Sequence, residues 1–126
     1  MTTGLADQIA SDEFDAIHKS REWVASLQAR APSVPGLIEP LPPRYPIEDV
    51  LSIINPDIRK PFDMDEVLLR IVDDSRLSVF KPKYGLNMVT ASAYIMGFPI
   101  GIITNQLSVI NPNEAAKVTQ FIRTCN

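Results

Sequence analysis

Residues 87–105, NMVTASAYIMGFPIGIITN, decide the fold class, because they form two strand-like runs joined by a two-residue break. Over 87–95 the side chains alternate between two faces, which is typical of a β-strand. Met96-Gly97 predicts a tight reversal. The continuous apolar run at 98–103 then predicts a second strand that is covered on both faces. This stretch therefore indicates a sheet.

A helix is predicted directly after this sheet. Asn111 suits the N-cap, Pro112 suits the first helical position, and Glu114 lies three residues beyond the cap. We expect the inner face of the helix to consist of Ala115, Val118, Ile122 and Cys125. A buried strand followed by a helix normally returns to another strand, and none follows here. The pattern indicates part of a larger α/β fold, or a fold that other chains cover.

The region before the sheet predicts helices separated by a stiff spacer. Residues 11–30 have an amphipathic helical pattern, with Ser11 or Asp12 as the cap and an apolar face made of Phe14, Ile17, Val24 and Leu27. Six prolines between positions 32 and 46 exclude a helix or a central strand and favour extended polyproline II. This spacer is expected to lie across a neighbouring surface or to separate two lobes.

Three shorter elements are predicted between the spacer and the sheet. Residues 47–54 favour a short helical turn. A better-marked helix is predicted over 63–73, with Asp63 as N-cap and Glu66 three residues beyond it. Residues 76–80, RLSVF, resemble a strand.

Size and charge restrict the class of protein. A chain of 126 residues corresponds to about one domain. A net charge of −3 argues against nucleic acid or an acidic membrane as the main partner. One cysteine and one histidine exclude an internal disulfide and make a zinc site implausible. The acidic N-terminal stretch, without arginine before Arg21, predicts neither a signal peptide nor a mitochondrial presequence.

Side chains that could carry catalysis each have a simpler interpretation. His18 is a candidate general base, but a surface histidine is the better prediction. Cys125 lacks a visible partner base, so we expect a small buried thiol. Asp73 and Asp74 diverge on a helix and are expected to be a helix-end charge cluster. Trp23 and Tyr45 could stack on a ligand, but we expect both to pack against the protein. No phosphate-binding loop, dinucleotide fingerprint or nucleophile elbow is present.

Backbone chemistry remains as an alternative. Residues 104–111, called the corner below, connect a strand to a helix N-terminus. Helix N-termini present free N–H groups and partial positive charge, so such a place can hold a carboxylate, a phosphate or a developing enolate oxygen. An ordinary crossover turn has the same pattern, so both interpretations stay open.

Residues 62–106, FDMDEVLLRIVDDSRLSVFKPKYGLNMVTASAYIMGFPIGIITNQ, resemble the carboxyltransferase β-subunits of biotin-dependent acyl-CoA carboxylases, in particular the methylcrotonoyl-CoA carboxylase type. The resemblance rests on Phe62-Asp63, Glu66-Val67, Arg70-Ile71-Val72-Asp73, Ser75, Phe80-Lys81, Tyr84-Gly85, Val89-Thr90, Ala93, Ile95, Gly97, Pro99, Gly101-Ile102-Ile103 and Asn105.

This resemblance implies an α/β fold, namely a partial crotonase-like domain preceded by a linker helix and a proline-rich spacer. It divides the chain into an N-terminal tail with linker helix at 1–31, a proline-rich linker at 32–61, and a truncated C-terminal carboxyltransferase domain at 62–126. The family's N-terminal domain, and the downstream loop that carries its C-domain oxyanion donors, would lie outside this chain.

The implied activity is transfer of a carboxyl group from carboxybiotin to an acyl-CoA of the methylcrotonoyl type. The implied partners are a biotin carboxylase/biotin carrier α-subunit, which carries the biotin, and other β-subunits. No metal is implied. The implied location is the mitochondrial matrix for a eukaryotic member and the cytoplasm otherwise. Alternatives are a non-catalytic fragment that docks onto intact β-subunits through its sheet edge, or another crotonase-like acyl-CoA enzyme.

The resemblance places backbone groups of Gly101, Asn105, Gln106 and Leu107 near carboxybiotin or acyl-CoA. Here the chain departs from the family, because Asn105-Gln106-Leu107 replaces the usual Asn-Asn-Gly. A lost glycine removes a position that tolerates positive φ, so the corner must be rebuilt. Asp74 likewise stands where the family usually has glycine. We expect the isolated chain to be inactive, because the resemblance places half of each active site outside it.

Overall fold

The core of the molecule is a three-stranded antiparallel sheet with one helix packed against it. The computed structural model describes residues 3–27, 38–57, 60–107 and 109–125. The strands are β1 (Ser78–Val79), β2 (Met88–Ile95) and β3 (Phe98–Asn105), in the order β1-β2-β3. The alternating stretch at 87–95 thus forms the central strand, as its pattern predicts. The run at 76–80 contributes only two residues to the sheet.

The reversal at Met96-Gly97 is confirmed, and it is held by a buried carboxylate. Both residues have positive φ, 52° and 78°, as expected of a two-residue hairpin turn. Their N–H groups donate to the two carboxylate oxygens of Asp73 at 2.9 and 2.7 Å. Asp73 is buried, so the expectation of a helix-end charge cluster is wrong for this residue.

The expected cluster does exist at Asp74, whose carboxylate pairs with Arg44 at 2.6 Å and with Arg76 at 2.8 Å. These two ion pairs hold the pKa of Asp74 below its usual value, with the hydrogen bond from Arg44 as the largest cause. Asp74 also has φ 50°. Glycine adopts this region at no steric cost, and aspartate is one of the few other residues that enter it readily. The backbone therefore accounts for the exchange of glycine for aspartate at this position.

The prediction that both faces of β3 are covered is wrong. Residues along β3 alternate between half-buried and exposed, and among the described residues β3 pairs only with β2. Strand β2, in contrast, is buried on both faces over most of its length. An apolar run indicates that a strand is suited to burial, but it does not show that the covering layer belongs to the same segment.

The described residues form four helices: α1 (Glu13–Leu27), α2 (Val50–Ile53), α3 (Met64–Leu68) and α4 (Pro112–Cys125). A 3-10 turn at Ile47–Asp49 leads into α2, which confirms the short helical turn predicted at 47–54. The cap of α1 is Asp12, whose carboxylate accepts the Asp15 N–H at 2.8 Å.

Helix α3 is shorter than the predicted 63–73. Asp63 caps it by accepting the Asp65 N–H at 3.0 Å, as expected. The helix ends at Leu68, because the chain then turns so that Asp73 reaches the β2–β3 hairpin. Glu66 does not complete a capping box, since its carboxylate pairs with Arg70 at 2.8 Å instead.

The inner face of α4 lies one position away from the prediction. Its buried residues are Glu114, Lys117 and Phe121, whereas Ala115, Ile122 and Cys125 are exposed. Two charged side chains at 114 and 117 therefore occupy positions that a hydrophobic pattern assigns to solvent. Their burial requires internal partners, which are described below.

Helix α1 leaves its apolar face open. Phe14, Ile17 and Val24 of the predicted inner face are exposed, Phe14 by 84%. The fourth member, Leu27, has a side chain outside the described part of the structure. The helix is tied to the preceding residues by the Lys19 ammonium, which donates to the Ile9 carbonyl at 2.6 Å.

The N-terminal tail is bound to the far end of the fold. Lys81, almost fully buried, forms an ion pair with Asp7 and donates to the Gly4 carbonyl. The backbone N–H of Lys81 donates to the Asp7 carbonyl at 2.8 Å, and the Gln8 side-chain amide donates to the Val79 carbonyl at 3.0 Å. Residues 4–8 thus lie beside the 78–81 segment.

The described part of the proline-rich segment, 38–46, contains no helix or strand, as its composition predicts. It crosses the β2–β3 turn, where the Ile38 N–H donates to the Gly97 carbonyl at 3.3 Å. Further along, the Leu41 carbonyl accepts the Asp74 N–H at 3.3 Å. Residues 32–37 of the predicted spacer lie outside the described residues. The described segment lies across a surface, which is one of the two predicted arrangements.

Candidate functional site

The corner begins where β3 ends and is closed by backbone hydrogen bonds. The N–H groups of Gln106 and Leu107 both donate to the Asn87 carbonyl, at 2.8 and 3.2 Å. The Asn87 side-chain amide donates in turn to the Val109 carbonyl at 3.1 Å. Two of the N–H groups that could bind an anion at this corner therefore already have an internal acceptor.

Gln106 connects the corner to the start of α3. Its amide nitrogen donates to the Phe62 carbonyl at 3.0 Å, and its amide oxygen accepts the Met64 N–H at 3.0 Å. The Met64 N–H belongs to the first turn of α3, where backbone donors lack helical partners. Gln106 thus provides an acceptor for one of them and fixes the distance between α3 and the corner. This is how the chain rebuilds the turn without glycine.

The N-terminus of α4 is capped by a carboxylate of the chain itself. Glu114 is buried and accepts the N–H groups of Asn111 at 3.0 Å and Asn87 at 3.4 Å. Burial on its own raises the pKa of this carboxyl, but hydrogen bonds from the N–H groups of Glu114, Asn87 and Asn111 outweigh burial and hold it below its usual value. The positive end of the helix dipole therefore faces an internal anion.

Lys117 balances this buried charge one turn further along α4. Its ammonium donates to the Met88 carbonyl at 2.8 Å and to the Gly85 carbonyl at 3.4 Å. Burial lowers the pKa of Lys117, while Glu114 and Asp65 act in the opposite direction. The pKa of Asp65 is raised, first by burial and then by Asp63. These groups join α3, β2 and α4 beneath the corner.

The four residues that the resemblance places near a ligand differ in exposure and in their contacts. They are Gly101, Asn105, Gln106 and Leu107. Gly101 lies in β3 beneath α4, where an added Cβ would come within 3.0 Å of the Cys125 sulfur. Asn105 is exposed at the end of β3, and the Leu107 side chain is also exposed. Gln106 is half-buried and bound to α3. All four lie on one continuous segment, and their role near carboxybiotin or acyl-CoA stays a prediction.

Of the other candidates, His18 and Tyr45 have the simpler roles that were expected, whereas Cys125 does not. His18 lies on the exposed side of α1 and contacts Glu22 at 3.2 Å. Tyr45 packs beneath the Arg70 guanidinium, 5.2 Å from the ring centre. Cys125 was expected to be buried but is exposed. Partial burial still raises the pKa of the Cys125 thiol, which disfavours the thiolate.

Within the described ranges, no three histidine, cysteine, aspartate or glutamate side chains lie together as a metal would require. In the same part of the chain, no helix has the length and apolar character to cross a membrane.

Sequence reasoning missed the buried network at 114 and 117, although its signal was present. Glu114 was expected at the third helical position, and Lys117 lies three residues beyond it on the same face. Because residues three apart lie on the same face of a helix, a buried Glu114 places Lys117 on the buried face as well. Asn87, which joins the corner to α4, has no motif that would mark it.

We expect Glu114 to contribute a pH-dependent part of the stability. Glutamate in an unfolded chain has a pKa near 4.5, and the folded pKa is lower. The contribution is therefore complete above about pH 4.5 and is lost as the pH falls through the folded pKa. Urea unfolding of the wild type and Glu114→Gln between pH 7 and pH 3 measures this loss. The difference in stability between the two proteins should shrink on acidification; a constant difference would contradict the assignment.

Comparisons with known proteins cover the whole chain. The sequence matches the family model described as carboxyl transferase domain over residues 1–126. It is 43% identical to a probable biotin-dependent acyl-coenzyme A carboxylase beta2 subunit of Mycobacterium tuberculosis (strain ATCC 25618 / H37Rv), over 98% of this chain and 23% of that protein. It is 34% identical to the mitochondrial methylcrotonoyl-CoA carboxylase beta chain of Dictyostelium discoideum, over 99% of this chain and 21% of that protein. The chain thus spans less than a quarter of the length of these two relatives.

Solved structures agree with the fold. The chain superposes on the beta subunit of geranyl-CoA carboxylase from P. aeruginosa with a TM-score of 0.65 and 33% identity, over 97% of this chain and 23% of that one. It superposes on transcarboxylase 12S, solved with methylmalonyl-coenzyme A and methylmalonic acid bound, with a TM-score of 0.80 and 26% identity, over 98% of this chain and 24% of that one. The exposed edge of β3 and the open face of α1 thus belong to a segment that is much shorter than the chains it resembles.

Proposed function

This chain belongs to the carboxyl transferase domain family, and we propose on that premise that it is a segment of a biotin-dependent acyl-CoA carboxylase β-subunit. The reaction of the whole subunit is transfer of a carboxyl group from carboxybiotin to a branched or unsaturated acyl-CoA of the 3-methylcrotonyl type. The observation that carries the proposal is the match along nearly the whole chain to proteins named as β-subunits of biotin-dependent acyl-coenzyme A and methylcrotonoyl-CoA carboxylases. In the proposed domain division, residues 1–61 are linker and residues 62–126 begin the C-terminal domain.

The proposed partners are a biotin-carrying α-subunit and further β-subunits. Relatives are described as biotin-dependent beta subunits, and the transcarboxylase 12S core is described as a hexamer assembly. Carboxybiotin would reach this protein on the partner, so biotin acts here as a delivered substrate.

The corner alone does not fit the ureido oxygen of biotin. A cradle for that oxygen needs N–H groups aimed at it from a fixed position. The N–H groups of Gln106 and Leu107 donate to Asn87, and Glu114 caps α4. The corner is therefore proposed as a wall of the site, with the donors supplied from outside residues 1–126.

The isolated chain is accordingly proposed to be inactive. The test is decarboxylation of free carboxybiotin by the purified chain, with and without 3-methylcrotonyl-CoA, beside a full-length β-subunit as positive control. We expect no CoA-dependent turnover by the chain. CoA-dependent turnover above background would overturn the proposed inactivity.

A chimera tests whether the segment is competent. Residues 1–126 replace the aligned segment of the 43%-identical relative. We expect the chimera to assemble and to retain CoA-dependent carboxyl transfer. A chimera that assembles like its parent but transfers no carboxyl group would favour the non-catalytic alternative, in which the chain only docks onto intact β-subunits.

A further inference from the structure

Strand β1 has an outer edge, on the side away from β2. The Phe80 N–H donates to the Thr90 carbonyl at 2.8 Å, and the Phe80 carbonyl accepts the Thr90 hydroxyl at 3.0 Å, so both backbone groups of Phe80 face β2. The N–H and C=O of one trans peptide unit point in opposite directions. The Val79 carbonyl and the Lys81 N–H therefore point away from β2.

Residues 4–8, which we call the strap, take up both of these outward groups. The Gln8 side-chain amide donates to the Val79 carbonyl at 3.0 Å, and the Asp7 carbonyl accepts the Lys81 N–H at 2.8 Å. Covering elements of this kind protect the edge of a sheet from pairing with other strands. The strap thus closes the outer edge of β1.

Lys81 is the anchor of the strap. Its side chain is 1% exposed, and its ammonium pairs with the Asp7 carboxylate and donates to the Gly4 carbonyl. A buried ammonium without such partners is strongly unfavourable. Lys81 also has φ 49°, a backbone conformation that residues other than glycine keep only where their surroundings hold them in it. The buried charge and the backbone of Lys81 therefore both favour the docked strap.

Polar contacts and close fit, rather than a buried apolar side chain, hold the strap in place. Leu5 is its one large apolar residue and is 88% exposed, and none of residues 4–8 is fully buried. Gly4 has φ 61°, and an added Cβ there would lie 2.9 Å from the Tyr84 ring. Segments that bury little apolar surface open at a lower free energy than the core does. The strap can therefore detach while the sheet stays folded.

We propose that the strap opens and closes as a unit on the Lys81 anchor, and that its closed state fixes the start of α1. Residues 9–12 connect the strap to this helix, and the Ile9 carbonyl accepts the Lys19 ammonium at 2.6 Å. Closing the strap therefore also restrains the first turns of α1. Opening it removes this restraint and uncovers the outward groups of β1 in the same step.

The test is amide hydrogen exchange of the 126-residue chain, measured residue by residue by NMR. Lys81→Met removes the ammonium and leaves an unbranched side chain. We expect the N–H at position 81 to exchange faster than in the wild type by about tenfold or more, while β2 and β3 keep their protection. Asp7→Asn removes the charge of the partner and leaves Lys81 in place, and it should act in the same direction.

A matched control and a second readout separate the anchor from a general loss of structure. Lys83→Met, at an exposed lysine two positions away, should leave exchange at position 81 unchanged. Trp23 is the one tryptophan in the sequence, so its fluorescence anisotropy reports on α1. We expect faster local rotation of Trp23 in the Lys81→Met and Asp7→Asn proteins.

Three results would each overturn a defined part of the proposal. Unchanged exchange at position 81 in both variants, or an equal acceleration in Lys83→Met, would remove the anchor role of Lys81. Loss of protection throughout β2 and β3 in Asp7→Asn would show that the strap does not open separately from the sheet. Faster exchange at position 81 with unchanged rotation of Trp23 would contradict the coupling to α1.

Discussion

Replacing Phe121 with alanine is expected to lower the free energy of unfolding by about 3–5 kcal/mol. Phe121 is 3% exposed and is the buried aromatic residue that attaches α4 to the sheet. Its ring centre lies 5.5 Å from that of Phe80, and an added Cβ at Gly101 would lie 3.3 Å from the Phe121 ring. Truncation removes this contact area and leaves a cavity that the strands cannot close.

Urea unfolding followed by circular dichroism measures the loss. The matched control is Ile122→Ala at the next residue of α4. Ile122 is 45% exposed, so this substitution should lower the free energy of unfolding by about 1 kcal/mol or less. A loss of several kcal/mol is comparable to the whole stability of a small domain, so the Phe121 variant should show a strongly reduced midpoint. Equal losses in the two variants would contradict the observed inner face of α4.

Replacing Asp73 with alanine is expected to cost about 2–4 kcal/mol, because it leaves one buried and one part-buried N–H donor without an acceptor. The donors are the N–H groups of Met96 and Gly97, at 2.9 and 2.7 Å from the carboxylate. Hydrogen bonds to an ionised acceptor are stronger than those between neutral groups. The β2–β3 turn should lose its fixed geometry together with the stability.

Asp74→Gly is the neighbouring control, because glycine removes the carboxylate and tolerates the φ of 50° at this position. The Asp74 carboxylate pairs with Arg44 and Arg76, whose side chains are 60% and 73% exposed, so water screens both pairs. Its loss should be a small fraction of that for Asp73→Ala in the same urea titration. Backbone amide exchange at Met96 and Gly97 adds a local measure, and we expect faster exchange only in the Asp73 variant. A larger loss at Asp74 would reverse the assigned roles.

The elements that local chemistry determines were predictable. The alternation at 87–95, the Met96-Gly97 turn and the caps at Asp12 and Asp63 each require particular residues at particular positions. The failures concern tertiary contacts. Helix α3 ends at Leu68 because the chain then turns so that the Asp73 carboxylate can accept the hairpin N–H groups. No residue within 63–73 predicts that contact. The inner face of α4 shifted because Glu114 and Lys117 find partners in residues distant in sequence.

The candidate site could be located but not described from the sequence. The strand-to-helix corner and the replaced glycine were visible in the residues 105–107. The use of Gln106 as a bridge to Phe62 and Met64 was not, because those residues lie more than 40 positions earlier in the chain. Whether an N–H group is free depends on acceptors that lie far away in the sequence. The periodicity of hydrophobic residues contains no information about these acceptors.

The attachment of the N-terminal tail has a consequence for biosynthesis. The Gly4 carbonyl can accept the Lys81 ammonium only after Lys81 has been made, 77 residues later in the chain. Residues 4–8 must therefore remain undocked while the intervening residues are made, and loop closure over this separation has an entropic cost. During that interval Asp7 and Gln8 are accessible to any factor that meets the emerging chain. Residues 4–8 thus acquire their final environment only after the 78–81 segment has been made.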